Sequence, residues 1–147
     1  MRALLQRVAE AEVFAGGKRI CRIGKGLLVY LGVSSSDTKQ ALEKAANKVA
    51  SLRIFDDADG KLNLSVDQAG GGILVVPNFT LLGDPAKGRR PSYANSAPAD
   101  VAEPLFEHFV ETLSGCVSPV EKGLFGADMT IESVARGPVN MVVDVSP

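Results

Sequence analysis

Polar and apolar residues alternate loosely over 2–14 (RALLQRVAEAEVF), the period of a strand with one face on a core. Gly16-Gly17 marks a turn, and Lys18–Ile23 returns as the hairpin partner. Gly24-Lys25-Gly26 turns again into Leu27–Val33, apolar throughout, which predicts a strand buried on both faces. Asp37, with Gln40 at the reciprocal third position, predicts a helix N-cap. The helix behind it has Leu42, Ala45, Ala46, Val49 and Leu52 on one face. Asp56–Gly60 is a turn-rich break. Gly70-Gly71-Gly72 leads into a short buried strand, Ile73–Val76, and an irregular loop with Pro77, Gly83-Asp84-Pro85 and Pro91 follows.

A second helix carries Ala102, Leu105, Phe106, Phe109, Val110 and Leu113 on its apolar stripe and ends at Gly115. Proline lacks a donor and clashes with the preceding turn, so Pro104 fits if Asp100 is the cap, with Glu103 its partner. Met129–Val134 and Val139–Val145 read as two strands joined by a turn at Ala135-Arg136-Gly137-Pro138. Strands cluster toward both ends with two main helices between them, which predicts an α+β fold with a mostly antiparallel, barrel-like sheet.

Composition narrows the functional classes. With 147 residues, 46% of them apolar and 22% charged, the chain is expected to form one globular domain over 1–147. Sixteen basic against seventeen acidic residues exclude a globally basic nucleic-acid binder but leave room for a local patch. Two cysteines, Cys21 and Cys116, and one histidine, His108, make no zinc-ligand cluster, and no metal or cofactor is expected. No signal-peptide core or membrane-length apolar run is visible, so a cytoplasmic, reduced protein with no membrane association is expected.

Ordinary catalytic apparatus is scarce. His108 falls off the stripe of the second helix and reads as a surface residue; Cys21 and Cys116 read as inert structural thiols, and Cys21 has no basic neighbour that could be its partner in a dyad. Three segments remain. Pro77-Asn78-Phe79-Thr80-Leu81 follows a buried strand, where backbone N–H groups come free to meet a ligand; Phe79 as core and Thr80 as a turn hydroxyl is the other reading. Gly137-Pro138 is either a plain turn or a cis peptide placed for use. Lys87-Gly88-Arg89-Arg90 is the one local basic patch, either solvated loop or a dock for phosphates.

Several segments together resemble D-aminoacyl-tRNA deacylase (the D-tyrosyl-tRNA deacylase family). They include Met1-Arg2-Ala3 with Gln6-Arg7-Val8, Ile23 to Val29, Leu52-Arg53-Ile54-Phe55 and Gly60 to Ser65. Phe79-Thr80-Leu81, Lys87 to Ser92, Phe125-Gly126-Ala127-Asp128-Met129 and Gly137-Pro138-Val139 extend the likeness over the whole chain. The resemblance implies a homodimer acting on aminoacyl-tRNA, hydrolysing the ester of a D-amino acid to the terminal adenosine. It implies that Asn78, Phe79 and Thr80 form the catalytic segment. Gly137, Pro138 and Val139 then reach in from the partner subunit for chiral selection. Arg7 is implied as a supporting residue, and Lys87, Arg89 and Arg90 as contacts to tRNA. Pro77 and Asn78 stand where the family has serine and glutamine, and Ala135 and Asn140 where it has asparagine and threonine. These departures keep two alternatives in view: an editing deacylase for glycyl- or small L-aminoacyl-tRNA, and a weakened RNA-binding dimer.

Overall fold

The computed structural model describes residues 1–146. The chain runs β1 (Arg2–Ala15), β2 (Lys18–Ile23), β3 (Gly26–Gly32), α1 (Lys39–Ser51), β4 (Phe55–Asp56), β5 (Leu62–Leu64) and β6 (Gly72–Pro77). A single 3-10 turn (Phe79–Leu82) then leads to α2 (Ala99–Ser114), β7 (Val120–Lys122) and β8 (Thr130–Asp144). This is the expected α+β architecture with two helices. The sheet is mixed: β1 pairs antiparallel with β2, β3 and β8, while β3 with β6 and β6 with β7 are parallel.

The two-residue loop between β1 and β2 has Gly16 at φ 56° and Gly17 at φ 74°. Two consecutive positive φ angles match the right-handed twist of a hairpin, and only glycine takes both without strain. β1 is a strand of 14 residues that serves two clusters. Its first half puts Ala3 and Leu5 into a core shared with the helices, alongside Leu27, Val29, Leu31, Ile73 and Val75. Its second half puts Ala11 and Val13 into a second cluster on the opposite face, with Cys21, Ile23, Leu28, Leu74 and Val76. One strand therefore serves both faces, and the sheet curls nearly into a barrel. β3 and β6 lie between the two clusters, which explains why both read as unbroken apolar runs.

Several local expectations are corrected. Asp37 does not cap α1, because its carboxylate accepts from the α-amino group of Met1 at 2.6 Å and from the Ser34 N–H at 2.7 Å. Thr38 caps instead, its hydroxyl accepting from the Ala41 N–H at 3.2 Å. α2 starts at Ala99, ahead of Asp100, with Pro98 at the cap position. Pro104 thus falls in the second turn, where the helix forgoes one backbone bond and continues.

The largest correction concerns the C-terminal strands. Residues 130–144 form one strand with no turn at 135–138. β1 is long enough to pair with all of it, and the ladder slips instead of breaking: Gln6 faces Asn140, but Val8 faces Ala135. Arg136–Val139 bulge out opposite Arg7. A bulge tolerates proline, which has no donor to contribute to the ladder.

Candidate active site

β6 delivers the first candidate segment. The Asn78 N–H makes the last rung to Leu31 O at 2.8 Å, after which the chain tightens into the 3-10 turn. Asn78 caps that turn. Its carboxamide oxygen accepts from the Thr80 N–H at 3.1 Å and also from the Thr80 hydroxyl. Thr80 is thereby occupied at both its donors. The Phe79 N–H, by contrast, has no hydrogen-bond partner among the described residues. The Phe79 ring is 57% exposed and stands edge-on to Tyr93, with centroids 5.2 Å apart.

Beside this segment lies a cavity of about 380 Å³. Its walls are Leu31 from β3 and Val33 just beyond it, Pro77–Phe79, the start of α2 through Ala102 and Phe106, and Phe125–Ala127 with Met129. The lining is apolar, and the polar groups of the turn stand at one edge. The Phe125–Met129 wall was not among the sequence-predicted site residues; its signal was the Phe-Gly-Ala-Asp-Met run itself. Leu124 and Met129 are tied together by the Leu124 N–H on the Met129 sulfur at 3.3 Å.

The second segment sits at the slip in β8. Gly137–Pro138 is a cis peptide, and Gly137 has φ 131°. A Cβ there would lie 2.7 Å from Val139 N and 3.2 Å from Arg7 Nη2, so no larger residue fits without a shift. Gly137 and Pro138 are exposed, and Val139 is half-buried. Arg7 fills the gap behind them. Its Nε donates to Arg136 O at 3.1 Å and its Nη1 to Ile54 O at 3.0 Å. Asp56 is within 3.4 Å of the same Nη1. A guanidinium offers donors in a fixed fork, which suits two carbonyls held at a set angle.

One chain does not bring the two segments together. Arg2 reaches the 3-10 turn, with Nη1 3.5 Å from Leu81 O, whereas the bulge lies opposite Arg7. Five residues along a strand span roughly 17 Å. Lys87, Arg89 and Arg90 are exposed on a loop pinned at its base by the paired bonds between Asp84 and Ser92, at 2.8 and 2.9 Å. Among the described residues none of the three makes an ion pair. Tyr93, which abuts Phe79, follows directly on this loop.

The other reactive groups stand apart from the cavity. His108 is half-buried and bonded through Nε2 to Glu43 at 2.8 Å, joining α2 to α1 rather than standing free in solvent. Cys21 is buried, and burial, reinforced by the charge of Glu121, pushes its thiol up to about 11. Cys116 is exposed, its Sγ 3.6 Å from Asn47 Oδ1.

The sequence model of the family described as D-Tyr-tRNA(Tyr) deacylase matches residues 4–144. The chain belongs to that family. A D-aminoacyl-tRNA deacylase of Desulfatibacillum aliphaticivorans is 49% identical over 144 residues, 98% of this chain and 99% of that protein. One of Chlorobaculum parvum is 48% identical over 147 residues, covering 98% and 97%. A solved structure described as c-Myc DNA Unwinding Element Binding Protein superposes with TM-score 0.94 at 37% identity, covering 100% and 99% of the two chains. A probable eukaryotic D-amino acid tRNA deacylase has the same fold, with TM-score 0.83 at 21% identity over 97% of each chain. The family match spans both candidate segments and the basic loop. No helix of the described residues is long and apolar enough to cross a membrane.

Proposed function

We propose that the chain hydrolyses the ester of D-aminoacyl-tRNA, releasing the D-amino acid and free tRNA, with main-chain groups as the catalytic apparatus. The observation that carries this reading is the unpartnered Phe79 N–H at the edge of an apolar cavity, in a chain of this family. An ester is already activated, so a donor aimed at the developing oxyanion supplies much of what the reaction needs. Water adds to the ester carbonyl carbon, and negative charge develops on the oxygen that faces the Phe79 N–H. Collapse of the tetrahedral species expels the ribose 3′-oxygen, which takes up the proton released by the attacking water. The neighbouring 2′-hydroxyl of the substrate is suitably placed to relay that proton. Asn78 positions the turn, and the apolar cavity takes the terminal part of the aminoacylated end.

The working unit is a homodimer. Gly137–Pro138–Val139 of one protomer approaches the 77–81 segment of its partner, because one chain holds them about five residues apart along β1. A rigid glycine-proline wall rejects an L side chain by steric clash. Arg7 supports the wall from behind. Lys87, Arg89 and Arg90 hold phosphates of the acceptor end. The protein acts in the cytoplasm as one domain, where tRNA is charged and used. A second reading, nucleic-acid binding without turnover, draws on the printed description of the 37% identical structure and on the same basic loop.

Single-turnover deacylation of D-tyrosyl-, L-alanyl- and glycyl-tRNA tests the proposal. Hydrolysis of the D-substrate with the L-substrate spared supports it. Preference for L-alanyl- or glycyl-tRNA moves the chain to the editing alternative, and tRNA binding with no turnover of any of the three leaves only the binding reading.

A further inference from the structure

A second cavity, of about 300 Å³, opens on the Gly137 side of the molecule, away from the Phe79 pocket. Arg7, Lys25, Phe55, Asp56 and Arg136 surround it, together with Val8 and Ala9 of β1. Its inventory of donors and acceptors is lopsided. Arg7 is nine-tenths buried, and while Nε and Nη1 are bonded, Nη2 has no hydrogen-bond partner among the described residues. The Lys25 ammonium carries three donors and places one of them on Ala69 O at 3.1 Å. The Arg136 guanidinium is exposed and makes no bond or ion pair among the described residues, although its own carbonyl is fixed by Arg7. Among the described residues the only carboxylate lining it is Asp56, 3.4 Å from Arg7 Nη1. Phe55 forms a buried floor, with the Arg7 guanidinium carbon 6.0 Å and Lys25 Nζ 5.8 Å from its ring centroid.

We infer that this cavity is a binding site for a phosphate group carried on a larger molecule. Three cations face one carboxylate, and nearly all the unused hydrogen-bonding capacity is donor. Such a concavity favours an anion rich in acceptor oxygens, and arginine forks match phosphate geometry. The cavity is larger than a bare phosphate needs, which leaves space for the group attached to it. Arg136 immediately precedes Gly137–Pro138, so the site is continuous with the bulge. Two carriers share this chemistry: a phosphodiester of the tRNA acceptor end, and a free mononucleotide. Phosphate binding follows from the charges whatever the reaction; the tRNA carrier rests on the deacylase reading above.

The test measures binding of inorganic phosphate, AMP and uncharged tRNA to the purified protein, the tRNA series at several salt concentrations. The variants are Lys25→Gln, Arg136→Gln and the pair, with Lys44→Gln on α1 as control. We expect the double variant to weaken phosphate binding at least about tenfold, as loss of two charge-assisted partners predicts, with the control unchanged. Weaker tRNA binding with a shallower salt slope then identifies tRNA as the carrier; weaker AMP binding with tRNA unchanged identifies the free nucleotide. Equal affinities of wild type and double variant for all three probes would overturn the site, as would failure of the wild type to bind any. If Lys25→Gln destabilises the fold through loss of the Ala69 bond, Arg136→Gln alone decides, since its side chain supports nothing internally. Absence of deacylation beside intact phosphate binding would sink the enzyme reading and leave this site standing.

Discussion

Which backbone donor at 78–80 is available depends on a single carboxamide. Asn78 engages the Thr80 N–H and hydroxyl and leaves the Phe79 N–H open. A chain leaving a buried strand is expected to free its N–H groups for a ligand; here the Thr80 N–H is bonded to Asn78, and the Phe79 N–H is the free one. Phe79→Pro should therefore lower the single-turnover rate by roughly 10²–10³, the usual effect of removing one oxyanion donor. Proline is tolerated at the first position of a helical turn, so the fold should survive. Phe79→Ala keeps the N–H and loses only the ring, and should fall well short of that loss; equal rates for the two variants would remove the donor from the mechanism. Thr80→Ser retains the hydroxyl on Asn78 and should stay within a few-fold of wild type. A thiol held near 11 is protonated at neutral pH and a poor nucleophile. Iodoacetamide at pH 7.5 should label exposed Cys116, spare Cys21 and leave turnover intact.

Two elements meet at the slip between β1 and β8, and Arg7 is the residue that makes the slip tenable. Lysine has no fork with which to reach Arg136 O and Ile54 O together, so Arg7→Lys leaves a carbonyl short of its donor. We expect a stability loss of about 1–3 kcal/mol in denaturant unfolding. A positioning role further predicts that the ratio of D- to L-aminoacyl-tRNA turnover falls, which destabilisation alone does not produce. At the far end of the same strand pair, the hydrogen bond and charge of Arg2 hold Asp144 below the usual carboxylate range. A depressed folded pKa stabilises above the unfolded value and is lost as pH falls through the folded one. Both groups are about half exposed, so Asp144→Asn should lose no more than about 1 kcal/mol at pH 7. The difference from wild type in thermal unfolding should close as pH drops below 3.8.

Apart from β8, the long elements are legible in the chain because periodicity needs length. β1, β2, β3, β6 and both helical faces follow the apolar pattern to within a few residues. β4, β5 and β7 are two or three residues long and carry no period to read. The cap of α1 is not legible because Asp37 is drawn off by the Met1 amino group, a contact 36 positions away in sequence. Gly137-Pro138 reads as a turn for any chain considered alone. Only the unbroken partner strand β1 reveals it as a bulge. Of the candidate site, the 78–80 segment and the Gly-Pro pair were visible as residue types, whereas the cavity wall at 125–129 and the Arg7 fork depend on contacts between distant parts of the chain.

At the scale of the whole molecule, β8 is left open. It pairs with β1 alone, and Val134 and Val142 on it are 52% and 58% exposed. A long exposed edge with apolar side chains is a surface that proteins normally cover. In the proposed two-fold dimer each covered patch would meet its own copy, so each protomer would both receive and supply a Gly-Pro. Two inactive variants then test the arrangement. Phe79→Pro removes the donor from the receiving side, and Gly137→Ala disturbs the supplied wall, its Cβ crowding Val139 N and Arg7 Nη2. Each homodimer should be nearly inactive, because both of its sites carry a lesion. Mixed, unfolded and refolded in equal amounts, the chains form heterodimers in which one site carries both lesions and the other carries none. Random assortment makes half of the dimers hetero, so deacylation should recover to about a quarter of the wild-type rate. If the mixture stays as inactive as its parents while light scattering shows that heterodimers have formed, both segments belong to the same protomer's site. A shared active site would then be wrong.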